Sequence, residues 1–385
     1  MARTTLFALV AVLLSSTTAW SQPATKTVDV RADDGTILKA TYSSPGKPGP
    51  GVVLLHMCNS KRQAWDTLVP LLTAKGLHVL AVDYRGYGES GGKAFATWTQ
   101  DERNKITNEL WPKDLDRALA FLGTQPGVDK SRIGVAGGSC GVNNAIQLAR
   151  RHAEVTTLVL LAGGTDDEGA RFLERTPWIP IFAAASHDDG TAVATTGWTM
   201  RFSSNPSNKL KEYPNGGHGT ALFPVHKDLQ PAIAAWFERH LVTKPVKATP
   251  KAAPRPGPSA KIAATLRAPG GVAKLTAAVR AAKKSGKKVE LPPEGAVNAM
   301  GYGRLQANEA KAAIELFTLN AEAHPDSANA YDSLSDGYVA LKDPANAALY
   351  AQKAIDALPG DKSLNDEVRK QIRESAEAKI KAKAK

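Results

Sequence analysis

Gly137-Gly138-Ser139-Cys140-Gly141 sets a serine in a glycine-framed turn. A short apolar run, Arg132 to Ala136, precedes it, and a segment of helical periodicity from about Val142 to Arg151 follows. A strand that turns sharply into a helix at G-x-S-x-G lifts its central side chain clear of the backbone, and the residues two before and two after it must be small. Serine is a poor nucleophile until a base takes its proton, and imidazole, which titrates near neutral pH, suits that task. Of the eight histidines, only His218 sits in a glycine-rich turn late in this part of the chain, Gly216-Gly217-His218-Gly219, ahead of a helix at about Lys227 to Leu241. His187 is its rival. The imidazole in turn needs a carboxylate to fix its tautomer and stabilise its charged form. Ser186-His187-Asp188-Asp189, after the apolar run Ile179 to Ala184, offers two, and Asp166 is a more remote third. The chemistry of such a set is acyl transfer through a base-activated serine.

These groups need a scaffold. Lys26 to Arg31 and Leu38 to Tyr42 read as strands around an Asp34-Gly35-Thr36 turn. Val52 to Met57, Leu77 to Val82, Val155 to Leu161 and Ile179 to Ala184 are apolar runs of the kind found in buried parallel strands. Arg62 to Lys75 and Trp111 to Leu122 carry apolar residues at helical spacing. Strands alternating with helices predict an α/β fold with a mostly parallel sheet covered on both faces.

The chain from about Lys26 to Leu241 resembles the α/β-hydrolase superfamily, especially its dienelactone-hydrolase-like branch. Beside the serine turn, LLHMCNS at Leu54 to Ser60 looks like the oxyanion loop after the third strand, and DYRGYGES at Asp83 to Ser90 like the turn after the fourth. The order Ser, Asp, His is also the family's. The resemblance implies a hydrolase of esters or lactones with no cofactor and no metal. It puts the acid at Asp189, with Asp188 as the alternative, and the base at His218. It implies that backbone N–H groups of Cys140 and Cys58 form the oxyanion hole. Met57 departs from the pattern, standing where the loop usually has glycine. Both cysteines of the chain therefore fall at the expected oxyanion hole, either bridged as Cys58–Cys140 or as two buried free thiols. A nucleophilic Cys140 is disfavoured, since it would put Val142 where the turn needs a small residue. A large lid after Val155 to Gly164 is not expected. Gly92 to Glu109 is the better candidate for an element over the site.

The ends of the chain carry other signals. Arg3, the apolar run Leu6 to Leu14 and Ala19-Trp20-Ser21 read as a cleavable signal peptide over 1–21, cut between Ser21 and Gln22. The run falls far short of the ~20 residues that span a bilayer. A periplasmic or secreted protein without a transmembrane span is expected. Net charge is +12, and the twelve Lys/Arg between Lys244 and Lys288, with no Asp or Glu among them, equal all of it. That location matters: residues 244–290 read as a basic Pro/Ala/Lys-rich linker with possible short helices, following a catalytic domain over 22–243. From 291 to 385 an internal repeat emerges, with Pro325 and Pro359 34 residues apart, the period of a tetratricopeptide repeat. Gly301, Ala313 and Phe317 in one unit, and Tyr331, Leu334, Tyr338, Ala347, Ala351 and Ala354 in the next, occupy its small and aromatic positions. Asn320 and Ser335 depart from it. Such a tail suits a protein partner, and the basic linker suits an anionic envelope component; an exported chain rarely meets nucleic acid. The competing reading is a scaffold protein whose work lies in the repeats, and a peptidase is a third. With few contacts expected across the linker, a fragment ending near Thr243 should stay folded.

Overall fold

The computed structural model describes residues 24–246, 256–287, 289–364 and 366–383. The signal segment 1–21 and linker residues 247–255 lie outside the described residues.

Eight strands form one sheet: β1 (Ala24–Arg31), β2 (Ile37–Ser44), β3 (Gly49–Leu55), β4 (His78–Val82), β5 (Val128–Gly138), β6 (Val155–Leu161), β7 (Ile181–Ser186) and β8 (Lys209–Tyr213). Their order is β1-β2-β4-β3-β5-β6-β7-β8. The β1/β2 and β2/β4 pairs are antiparallel and all others parallel. The helices of this part are α1 (Val69–Ala74), α2 (Gln100–Lys105), α3 (Trp111–Thr124), α4 (Cys140–Arg151), α5 (Asp167–Arg175), α6 (Ala192–Met200), α7 (Leu222–Val225) and α8 (Leu229–Phe237). This is the α/β-hydrolase fold. Strands β3, β4 and β6 are buried along their whole length, which explains their unbroken apolar runs. Their alternate side chains feed two cores. One face packs Val53, Leu55, Leu80 and Val135 against α3 and α4; the other packs Val52, Leu54, Val79 and Ala136 against α1 and α8.

Two elements differ from the sequence reading. The helix expected over Arg62 to Lys75 splits into a 3-10 turn at Arg62–Trp65 and the short α1, because Pro70, which has no N–H, suits a first turn and not a helix interior; the Arg62 N–H is held at 2.7 Å by the Asp83 carboxylate after β4. Arg62 also forms a buried ion pair with Asp83. The eighth strand, Lys-Leu-Lys-Glu-Tyr, was not legible as one. It lies on the sheet edge, where charged side chains are favoured and only Tyr213 is buried.

The C-terminal region is all helical: α9 (Pro258–Arg267), α10 (Gly271–Ser285), α11 (Glu294–Gln306), α12 (Ala310–Ala323), α13 (Ala328–Ala340), α14 (Pro344–Ala357) and α15 (Asp366–Lys383). Among the described residues no helix is long and apolar enough to cross a membrane. Gly301 has a steric role between two of these helices. A Cβ at Gly301 would lie 2.3 Å from the Phe317 ring, so only glycine lets α11 and α12 close on that aromatic.

Within the stretch read as a basic linker with possible short helices, α9 and α10 form, and α9 docks on the hydrolase part. Ala260 and Ala263 of α9 lie in the hydrolase core with Trp198, Phe202 and Phe172. Ser259 Oγ donates to the Trp198 carbonyl at 3.0 Å. Arg267, 13% exposed, pairs with Asp167 and Glu174. Part of the basic excess is thus neutralised internally, since Arg280 and Lys283 also pair with Glu322. A fragment ending at Thr243 bares Trp198 and Phe202, so it should melt about 5–10 °C below the full chain, taking the seam as a few kcal/mol and about 2–4 °C per kcal/mol. Calorimetry of both forms measures this; equal melting would mean that the seam contributes nothing.

Candidate active site

Ser139 stands between β5 and α4 with φ 54° and ψ −121°, a conformation that L-residues rarely adopt and that the surrounding structure must hold in place. Each motif glycine has a steric reason. A Cβ on Gly137 would lie 2.0 Å from the Gly141 carbonyl oxygen, and one on Gly141 would lie 2.6 Å from the Leu55 carbonyl oxygen and 3.0 Å from the Tyr84 hydroxyl. The chain therefore crosses itself at van der Waals limits around the serine. The Ser139 N–H donates to the Leu161 carbonyl at 2.9 Å, which ties the turn to the end of β6.

The acid and histidine turns lie at the ends of β7 and β8 and are stitched together. Asp189 Oδ2 is 2.6 Å from His218 Nδ1. His218 is 38% exposed and Asp189 20%, so the pair is accessible yet shielded on the carboxylate side. Asp188 points elsewhere: its two oxygens accept the N–H groups of Gly216 and Gly217 at 3.0 and 3.1 Å. Ser186 Oγ donates to the Gly217 carbonyl at 2.8 Å. Asp189 thus contacts the imidazole, while Asp188 and Ser186 hold the loop that carries it. Sequence reasoning missed the roles of Ser186 and Asp188, because the contacts span about thirty residues and leave no local pattern. The rejected candidates have other partners. Asp166 caps α5 through the Gly169 N–H, and His187 pairs with Glu212 at the surface.

The loop after β3 is anchored by His56, which is fully buried. The Tyr84 N–H donates to its Nε2 at 3.0 Å, so its proton resides on Nδ1 and is donated to the Met57 carbonyl at 2.7 Å. Burial pushes the ring down to about 4, keeping it neutral. Met57, the departure from the family pattern, fills space left by two glycines: a Cβ on Gly138 would lie 3.1 Å from its Cγ, and one on Gly219 2.4 Å from its Sδ. The thioether is wedged between the serine turn and the histidine turn.

Of the two alternatives for the cysteines, the structure has the bridge: Cys58 and Cys140 form a disulfide with Cα atoms 5.8 Å apart. Both are half-buried rather than buried. The bridge also removes Cys140 as a nucleophile, since its sulfur carries no thiolate. Cys140 opens α4, where the first N–H groups have no intrahelical acceptor. The bridge therefore ties a helix N-terminus beside Ser139 to the loop after β3. The segment from Gly92 to Glu109 packs Phe95 and Trp98 on Tyr87, whose ring lies 5.2 Å from His56, so it abuts the anchor of that loop.

Two outcomes follow from this geometry. Asp189→Asn should lower kcat for ester hydrolysis by roughly 10³–10⁴-fold, as loss of a tautomer-fixing acid does, while Asp188→Asn, which keeps an acceptor for the loop, should cost about tenfold or less. The reverse ranking in steady-state assays would overturn the assignment. Mapping of unreduced protein should yield one linked Cys58–Cys140 peptide pair. Reduction followed by alkylation should lower kcat by about tenfold or more, below the 10²–10³ lost with a whole oxyanion donor. Two alkylatable thiols before reduction would contradict the bridge.

Residues 38–228 match the dienelactone hydrolase family. Two uncharacterized proteins from two strains of Mycobacterium tuberculosis are each 30% identical over 163 residues, 41% of this chain and 52% of their own length. The chain spans about half the length of these curated relatives. Among solved structures, the Pyrococcus furiosus esterase Pf2001 is similar over 56% of this chain and 93% of its own, with 20% identity and a TM-score of 0.44. A dienelactone hydrolase from Anabaena variabilis is similar over 57% of this chain and 99% of its own, with 20% identity and a TM-score of 0.45. With the glycine-framed serine between β5 and α4, and acid and histidine turns at the ends of β7 and β8, residues 38–228 of this chain belong to the dienelactone hydrolase family.

Proposed function

We propose that this protein is an exported serine hydrolase that cleaves a carboxylic ester or lactone through an acyl-enzyme on Ser139. The observation that carries the reading is the 2.6 Å contact of Asp189 with His218 Nδ1 in a chain whose nucleophile turn is strained and glycine-framed. His218 Nε2 takes the Ser139 proton as Oγ attacks the carbonyl carbon. Asp189 holds Nδ1–H and stabilises the imidazolium. The backbone N–H groups of Cys140 and Cys58 receive the developing oxyanion. His218 returns the proton to the leaving alkoxide, and in the second half it activates water to release the acid. For a lactone the leaving alcohol stays attached, so one ring-opened hydroxy acid is the product.

Export rests on the signal-like segment 1–21, and a disulfide at the site suits an oxidising compartment such as the periplasm. The tail is read as tetratricopeptide-like from the paired helices α11/α12 and α13/α14 and the 34-residue period. Its proposed role is association with a protein partner, and that of the remaining basic residues of 244–290 is attraction to an anionic envelope component.

Wild-type protein should hydrolyse p-nitrophenyl esters and label with a fluorophosphonate probe. Ser139→Ala should lose labelling and at least 10³-fold in kcat while melting as the wild type does. Turnover retained in Ser139→Ala would rule out the acyl-enzyme.

A further inference from the structure

The C-terminal helices meet the hydrolase part at the element that follows the acid. The Ala192 N–H at the start of α6 donates to the Asp189 carbonyl at 2.9 Å, so the helix and the acid turn are one unit. The same helix reaches the serine turn: Thr196 Oγ1 accepts the Gly163 N–H at 3.1 Å, and Gly163 is so close under Ser139 that a Cβ there would lie 2.5 Å from the Ser139 carbonyl oxygen.

Besides Ser259 of α9, which donates to the Trp198 carbonyl, the tail meets this unit at two further points. A Cβ on Gly295, in the first turn of α11, would lie 2.9 Å from Thr195 Oγ1 and 3.0 Å from Thr191 Oγ1. A Cβ on Gly190, next to Asp189, would lie 3.3 Å from the Ser363 carbonyl oxygen. Both points are pinned to the start of α13. Glu294, beside Gly295, is 8% exposed and accepts from Ser327 Oγ at 2.7 Å and Asn329 Nδ2 at 2.9 Å. Asp361 accepts the Ala328 N–H at 3.0 Å with one oxygen and the Ser363 N–H at 3.0 Å with the other.

We propose that the helical tail is a working part of the active site: through Gly295 and Ser363 it presses on α6 and fixes where Asp189 stands against His218. This rests on the assignment of Asp189 as the catalytic acid. Gly295 is a positioning residue: a Cβ there crowds the Thr191 and Thr195 hydroxyls, so a side chain must displace them or push α6 from the tail.

The test uses the full chain. Gly295→Ala and Gly295→Leu should lower kcat for a p-nitrophenyl ester by about threefold and at least tenfold, with KM within twofold of wild type and helical content unchanged by circular dichroism. Fluorophosphonate labelling should slow in the same proportion. Adding Thr191→Ala and Thr195→Ala to Gly295→Ala deletes the two hydroxyls that the new methyl meets, and should bring kcat back to within twofold of wild type. Val339→Ser, on the exposed outer side of the tail, is the control expected to keep wild-type kcat. Wild-type kcat in both Gly295 variants would overturn the proposal. So would losses that fall on KM and melting together without rescue, including failure of Gly295→Leu to fold with an unrescued Gly295→Ala. Ser139→Ala is run alongside: if it matches wild type, the serine-hydrolase reading fails first and this inference with it.

Discussion

A non-glycine residue held at φ 54° costs about 1–3 kcal/mol, and that cost falls on Ser139. The conformation persists because the backbone around it has nowhere else to go. Gly137 sits over the Gly141 carbonyl, Gly141 over the carbonyl of Leu55, and Gly163 over that of Ser139 itself. Each approach excludes a Cβ, and each brings a different strand end to the same point. The ends of β3, β5 and β6 are thereby packed against one another at the serine. A reactive centre gains from such packing, because small misplacement of the attacking atom is expensive in rate.

The other half of the site is held by polar contacts rather than steric ones. Four hydrogen bonds join the acid turn to the histidine turn, and only one involves the imidazole. The other three set the path of Gly216 and Gly217, whose backbones adopt positive φ. Met57 joins the two halves: it is wedged against Gly138 on one side and Gly219 on the other. A flexible thioether can fill such an irregular gap where a branched side chain would clash. The usual glycine at this loop position is replaced by a residue that does packing work.

Much of this was legible in the sequence. The serine turn, the apolar strands and the late glycine-rich histidine turn are local patterns, and local patterns survive in one dimension. Asp189 was separated from Asp188 by position in the family pattern, and the geometry gives the two carboxylates different partners. What was not legible depends on contacts between distant segments. Whether Cys58 and Cys140 are bridged or free, which the sequence leaves open, turns on a contact across 82 residues. The edge strand β8 has a charged sequence that looks like a loop. The docking of α9 on Trp198 rests on two alanines and a serine, residues too small to announce a core position. Lys244 to Pro258 reads as an extended linker because like charges repel; further along, Arg267, Arg280 and Lys283 find counter-charges in Asp167, Glu174 and Glu322, partners that no local pattern announces.

The chain has two cysteines, and both are in the bridge. A chain so composed has a single intramolecular pairing, so oxidation cannot trap it in a wrong internal isomer. It needs an oxidant to mature but no reshuffling catalyst among its own cysteines; mispairing can only link one chain to another. Loop closure over 82 residues also removes about 4–5 kcal/mol worth of freedom from the unfolded chain. Maturation of this protein is therefore governed by how fast one bond forms relative to how often two unfolded chains meet, which makes its yield a matter of concentration rather than of sorting.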